Sequence, residues 1–254
     1  MNEVINFIKS RKSTRVFADN NILEEDRKTI FEAAFEAPTA GGMMLYSIIE
    51  VRETALKERL ALECDNQPFI AKAPMVLIFL ADYQRWYDSF VYEGCETRKP
   101  GEGDILLASA DAIIAAQNTV IAAESLGIGS CYIGDILENC ETIRELLNLP
   151  DYVLPAAMLV YGYPAESQKK RKKPARFEKK YIVHENTYHR LTKEEHDEMH
   201  RLHNTASGLP DKEVKVLVHA IYQRKYMTAF SLEMNRSAGE YLKKFREINN
   251  KKDN

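Results

Sequence analysis

Residues 105–126 read Ile-Leu-Leu-Ala-Ser-Ala-Asp-Ala-Ile-Ile-Ala-Ala-Gln-Asn-Thr-Val-Ile-Ala-Ala-Glu-Ser-Leu, and the fold turns on them. The stretch is apolar on nearly every side and rich in alanine. A helix apolar all round is a buried one, and alanine is the best helix former. Asp104 can cap the first turn, and Gly127 can end the helix in a left-handed conformation. The following segment, Gly127-Ile-Gly-Ser-Cys-Tyr-Ile-Gly-Asp135, is expected to open backbone amides at a turn, where small residues let a flat ligand lie against the main chain. A helix over 138–148 and a buried strand over 156–161 follow, closing on Gly162-Tyr163-Pro164. A buried helix leading into a glycine-rich elbow is the plan of a ligand-binding core.

The same stretch is long enough to raise a transmembrane question. Asp111, Gln117, Asn118 and Glu124 inside it argue for a protein core instead. The 254 residues suffice for one large domain or two small ones, and 45% hydrophobic with 29% charged residues is the balance of an ordinary globular chain. A net charge of −3 favours neither nucleic acid nor a membrane surface as partner. Cys64, Cys95, Cys131 and Cys140 form no C-x-x-C pair, and Met1-Asn-Glu-Val has no leader character. A reducing, cytoplasmic compartment is therefore expected.

Toward the N-terminus, a short helix over 4–10 runs into Arg11-Lys12-Ser13-Thr14-Arg15. Three cations and two hydroxyls in five residues can hold a phosphate through guanidinium forks and hydroxyl donors. They can equally be the cations that favour any helix C-terminus. A second helix over 24–37 has an acidic first turn and ends at Pro38. A loop, Thr39-Ala-Gly-Gly42, and Met43-Met44 precede a strand over 45–51. The methionines read as adaptable core packing, or as the wall of a flat aromatic ligand. After a third helix over 54–64 comes a polar turn carrying Gln67, whose amide offers both a donor and an acceptor. Residues 74–80 read as a buried strand ending at Ala81-Asp82. The aromatic segment 83–93 reads as a lid, a partner surface or core packing.

Beyond the core, Lys169 to Lys180 holds eight cations, read as a solvated loop of which one or two members can turn into a ligand site. His196, His200 and His203 share one face of a polar helix over 192–203. That spacing can hold zinc, but a solvated face is the default, because His196-Asp-Glu-Met-His200 lacks the H-E-x-x-H order. Two more helices are expected over 212–224 and 231–248, with a fraying end over 249–254. The element order predicts an α+β fold, a small central sheet packed by helices. No G-x-G-x-x-G, Walker A loop or G-x-S-x-G elbow is present, so the Arg11–Arg15 cluster is the candidate anion site.

In this order the motifs resemble the FMN-dependent nitroreductase family, in its branch of oxygen-insensitive nitroreductases and flavin reductases. The resemblance rests on Arg11-Lys-Ser-Thr-Arg15, Ala37-Pro-Thr39, Gln67 ahead of the strand ending Ala81-Asp82, Leu126-Gly-Ile-Gly-Ser-Cys-Tyr-Ile-Gly134, Leu147-Asn-Leu-Pro150, Tyr161-Gly-Tyr-Pro164, Lys173-Pro174 with Arg176, and Val183-His-Glu-Asn-Thr-Tyr188. It covers most of the chain. It implies a single domain over 1–254, with 165–190 a basic extended segment and 191–254 a helical extension, and a homodimer binding FMN at the subunit interface. Carried over by position, Arg11, Lys12, Ser13 and Arg15 would serve the FMN phosphate. Gln67 would bond the pyrimidine edge, and the backbone of Tyr132, Ile133, Gly134 and Asp135 would face the ring. Lys173 and Arg176 would lie near its N1/O2 side, where a cation stabilises the reduced ring. Arg224 and Arg236 are further candidates for a nicotinamide phosphate.

The activity implied is ping-pong transfer of hydride from NAD(P)H to a small-molecule acceptor such as a nitroaromatic, a quinone or a flavin, with no side-chain nucleophile and no metal. Nucleic acid and membrane are not expected as partners. The rival readings are a non-turnover flavin protein (redox sensor or flavin store) and a basic-loop interaction module. Met43 and Met44 replace residues often polar in relatives, and Asp135 stands where a second glycine is common.

Overall fold

Strand β2, Met75–Asp82, is buried along its whole length. Met75, Leu77 and Phe79 join one core cluster and Val76, Ile78 and Leu80 another. A strand covered on both faces reads as a continuous apolar run rather than an alternation. The computed structural model describes residues 2–246 and places β2 inside a four-stranded sheet of order β1-β2-β4-β3, all neighbours antiparallel. The other strands are β1 (Tyr46–Glu50), β3 (Gly129–Ile133) and β4 (Val153–Gly162). The β2–β4 register shifts between Phe79 and Leu80, where Pro155 stands opposite Leu80. Proline has no N–H for the ladder, and a bulge accommodates it there.

The chain divides into two units, Met1–Arg171 with Glu233–Asn254, and Lys172–Leu232. In the first, helices α1 (Glu3–Ser10), α2 (Glu24–Phe35), α3 (Thr54–Glu63), α4 (Gln84–Tyr92), α5 (Glu102–Ser125), α6 (Cys140–Leu147) and α7 (Glu166–Lys169) surround the sheet. One face takes α2 and α5, through Ile30, Ala34, Ala112, Ala115 and Ala116. The other takes α3 and α6, through Leu60, Ala61 and Ile143. In a third cluster Ile105 and Ala108 meet Tyr241 and Phe245 of α10 (Ala229–Arg246). The aromatic helix α4 packs rather than hangs free: Trp86 Nε1 donates to Met43 O at 2.7 Å, and Tyr87 meets Tyr152 edge-on at 5.1 Å. Met43 and Met44 pack against core clusters, as adaptable fillers do.

Three expectations change. First, α5 is not buried all round. Ile105, Ala108, Asp111, Ala112, Ala115, Ala116, Thr119, Val120 and Ala123 are buried, while Leu106, Leu107, Ile113 and Ile114 stay between 39% and 69% exposed. The sheet covers one side of a helix, and the opposite side is apolar in sequence but open in the single chain. Second, Asp104 caps the first turn from its third position rather than as the N-cap residue. Gly101 caps the helix and donates its N–H to Asp104 Oδ2 at 2.7 Å, while Arg98 binds both carboxylate oxygens and holds the carboxyl below its ordinary range. Third, the segment after Gly127, expected as an open turn with a short strand, is mostly strand. Gly127 does adopt φ +75°, but β3 begins two residues on. Only Gly134–Leu137 forms a turn, of 3-10 type.

In the second unit, α8 (Lys193–Ala206) starts with a capping box between Thr192 and Glu195, and α9 (Val214–Ile221) follows. The helix expected through Arg224 gives way to a π-helical turn over Tyr222–Tyr226. The Phe177 ring packs on His203 at 4.7 Å and on His200 at 6.0 Å. A cleft of about 860 Å³ is lined by His196, His200, His219 and charged neighbours. Among the described residues no group of three or more His, Cys, Asp or Glu side chains is arranged to hold a metal ion. The helix expected over 231–248 is seen to Arg246; its last residues and the segment 249–254 lie outside the described residues.

Candidate functional site

The outer edge of β3 positions the basic segment. α1 ends at Arg11, whose N–H bonds Phe7 O at 2.9 Å, and the chain then turns extended. Thr14 N donates to Ser130 O at 2.9 Å, Ala18 N to Tyr163 O at 2.8 Å, and Ala165 N to Val16 O at 3.1 Å. The segment thus runs along the sheet margin as an irregular extra strand. Gln168, in α7 and almost fully buried, clamps it: Nε2 donates to Ser13 O at 2.9 Å, and Oε1 accepts from Arg15 N at 3.4 Å. Sequence reasoning missed Gln168. Its one signal is an uncharged amide at the head of a basic run.

Arg11, Ser13 and Arg15 converge around Cys131. Burial pushes that thiol up, and Arg15, Ser13 and Arg11 pull it down in that order. Two polar atoms here are buried without a hydrogen-bond partner, Arg11 Nε and Ser130 Oγ. A buried donor normally finds an acceptor, so this margin suits an anionic group. Arg15 lies over the Phe69 ring at 5.9 Å and lines a cleft of about 670 Å³ with Phe17, Phe69 and Lys72. Lys12 is spent differently: its Nζ donates to Lys169 O and Arg171 O, each at 2.6 Å, and so anchors the start of the basic run.

The far end of β3 carries the second group. Tyr132 is half-buried, its OH donates to Gln117 Oε1 at 3.3 Å, and burial raises its pKa to about 12 while Arg11 opposes the shift. The Ile133 side chain is buried in the second core cluster, so only its backbone is available to a ligand. Gly134 is exposed, with open space where a Cβ would stand. Asp135 meets Gln67. The Gln67 amide reaches this point because Asp65 and Asn66 take positive φ after α3, and Gln67 N donates to Ala61 O at 2.8 Å. Its Nε2 donates to Asp135 Oδ2 at 3.0 Å and to Cys64 O at 2.8 Å. Behind them Glu138 is 5% exposed, and its pKa is raised to about 7, by burial first and then by Asp135.

Lys173 and Arg176 belong to the second unit, where Arg176 Nη1 donates to Pro174 O at 3.1 Å. Arg236 is committed to carboxylates, with two bonds to Glu141 at 2.9 and 2.7 Å and two to Glu233 at 2.9 and 2.8 Å. It is thereby a poor candidate for a free phosphate anchor. A further carboxylate that sequence reasoning used only to discount a membrane, Asp111, organises the loop after α2. It accepts from Thr39 Oγ1, from Ala40 N at 3.0 Å and from Leu45 N at 3.2 Å.

The site therefore sits on a helix-flanked antiparallel sheet with a basic segment laid along its edge strand, a margin suited to an anion. The model of the nitroreductase family matches residues 8–163, and the chain belongs to that family. The FMN reductase (NADPH) of Bacillus subtilis is 35% identical over 190 residues, 74% of this chain and 75% of that protein. The solved structure of NfrA1 from B. megaterium superposes with a TM-score of 0.80 at 28% identity, covering 94% of this chain and 98% of that one. The NADPH:FMN oxidoreductase from Vibrio harveyi, solved in complex with NAD+, gives 0.74 at 27%, covering 91% and 98%.

Proposed function

We propose that this chain is an FMN-dependent oxidoreductase that takes hydride from NAD(P)H and passes it to a nitroaromatic, quinone or flavin acceptor in a ping-pong cycle, as a cytoplasmic homodimer. The observation that carries the reading is the orphaned pair at the sheet margin, Arg11 Nε and Ser130 Oγ, beside Ser13 and Arg15. These donors suit the terminal phosphate of FMN, bound through guanidinium forks and hydroxyls. The relatives' names, FMN reductase (NADPH) and NADPH:FMN oxidoreductase, support the same cofactor and donor.

When bound, the flavin supplies the hydride chemistry, and the protein binds, orients and tunes it. Arg11, Ser13 and Arg15 would hold the phosphate. Gln67 would hold the pyrimidine edge of the ring. The backbone from Tyr132 to Asp135 would face the ring, with Ile133 filling the core beneath. In a ping-pong cycle donor and acceptor use the same place in turn.

The test is the visible spectrum of the purified protein, followed by anaerobic mixing with NADPH. A yellow protein that releases FMN on denaturation, bleaches with NADPH and recovers its colour with a quinone supports the reading. A colourless protein that fails to take up added FMN overturns it. A yellow protein that does not bleach with NADPH or NADH leaves flavin binding without turnover.

A further inference from the structure

The Gln67 amide is held in one orientation by partners that accept only. A backbone carbonyl, Cys64 O at 2.8 Å, and a carboxylate oxygen, Asp135 Oδ2 at 3.0 Å, both receive bonds from Nε2. Amide orientation is assigned from the hydrogen-bond network, and two acceptors on one side admit only the NH2 group there. Both amide protons are therefore committed, and Oε1 is the polar atom of this half-buried side chain left for a ligand. The free amide inferred from sequence, able to donate and to accept, is reduced to an acceptor.

Glu138 secures this arrangement. It lies against Asp135 in a pocket that also holds Asp65, Glu233 and the buried Cys64, and one of its oxygens is buried with no partner. Burial and the neighbouring Asp135 raise the Glu138 carboxyl to about 7, so below that pH Glu138 carries a proton that it can donate toward Asp135, leaving Asp135 an acceptor to both neighbours. An Asp135 that accepts from two sides cannot offer Gln67 a proton.

We propose that Asp135, backed by Glu138, is a specificity-determining positioning residue: it locks Gln67 as a hydrogen-bond acceptor, so that the site takes a ring edge presenting an N–H and rejects one that offers acceptors alone. This rests on the FMN reading above, in which the edge is the imide N3–H of the flavin.

The experiment titrates the flavin-free protein with FMN and with its N3-methyl analogue, following flavin fluorescence. The unmodified protein is expected to prefer FMN on the order of tenfold, the weight of one well-formed hydrogen bond with a buried partner. Asp135→Asn is nearly isosteric but gives Gln67 a donor to face, so the amide can turn and the preference should fall to about twofold. Glu138→Gln keeps a donor toward Asp135 and should retain the preference of the unmodified protein. Steric exclusion of the methyl group would be blind to Asp135→Asn, so a preference unchanged in that variant overturns the proposal. Equal affinities for the two flavins in the unmodified protein overturn it without any variant and leave the FMN reading standing. Failure to bind either flavin overturns that reading and this inference together.

Discussion

A Cβ built on Gly129 would clash with Oγ1 of Thr14 and stand 2.8 Å from its Cβ. The glycine is required by close approach rather than by backbone dihedral, since its φ is not among the positive ones. Thr14 cannot simply rotate away. It is 3% exposed, and its N–H bonds Ser130 O at 2.9 Å. Gly129→Ala must therefore push the Arg11–Arg15 segment off the sheet margin. Overpacking of this kind costs about 1–3 kcal/mol, and the cation cluster moves with the backbone. FMN affinity is expected to fall at least tenfold in a fluorescence titration. Gly239→Ala, in α10 with nothing within 4 Å of the new methyl, is the comparison. It should leave FMN binding unchanged and raise stability by about 1 kcal/mol.

Asp111 ties the loop after α2 to the core helix. The carboxylate is 3% exposed and receives Thr39 Oγ1, Ala40 N and Leu45 N, while Thr39 Oγ1 accepts in turn from Met44 N at 2.8 Å. Asp111→Ala removes the shared acceptor and leaves several donors buried without one. The expected loss is on the order of 3 kcal/mol. Urea unfolding should show it as a lower midpoint with an unchanged slope. A loss below about 1 kcal/mol would mean that the loop finds other acceptors and that Asp111 is not its anchor.

What the sequence disclosed, and what it withheld, follows from range. The β2 run was legible because seven consecutive apolar residues need cover on both faces. The Gly127 stop was legible because a left-handed residue after a long helix is a local event. The basic segment and Gln67 stood out by residue type alone; their neighbours, Cys131 for Arg11, Ser13 and Arg15, and Asp135 for Gln67, come from distant parts of the chain. The clamp from Gln168 spans 155 residues to Ser13, and the tie from Asp111 spans 72 to Thr39. Neither leaves a periodic trace. The exposed side of α5 was misread for another reason: composition cannot tell a helix buried by its own sheet from one that a second surface must cover.

Glu138 sets a pH dependence of stability. The folded protein raises this carboxyl from 4.5 to about 7, chiefly through burial and then through Asp135, Asp65 and Glu233 around it. A group whose pKa is higher folded than unfolded binds its proton more tightly in the native state. Its contribution is complete below the unfolded value and is lost as pH rises through the folded one. Between pH 4.5 and about 7 the loss amounts to about 3 kcal/mol. Glu138→Gln has no proton to lose. Its urea midpoint should exceed that of the unmodified protein at pH 8, with the gap closing toward pH 4.5. Parallel pH profiles for the two proteins would remove Glu138 from the account.

The open side of α5 bears on assembly. Leu106, Leu107, Ile113 and Ile114 recur at helical spacing and form one stripe opposite the buried positions. Isolated exposed apolar residues are ordinary, but a contiguous stripe of four large ones on a core helix marks an interaction surface. Burying one leucine or isoleucine side chain contributes about 1.5–3 kcal/mol, so four of them on each of two facing copies can carry an isologous dimer. The helix also reaches past the sheet margin, since Gln117 on its open side bonds the Tyr132 hydroxyl at 3.3 Å. A dimer formed here would therefore lie next to the candidate flavin site. Replacing Leu106 and Ile114 together by glutamate places two charges in the seam, each costly to bury unpaired. Sedimentation velocity should then report the 29.1 kDa mass of a single chain where the unmodified protein sediments at twice that mass. If the unmodified protein is itself monomeric at micromolar concentration, the dimer reading fails. If the double variant stays dimeric, the interface lies on another surface.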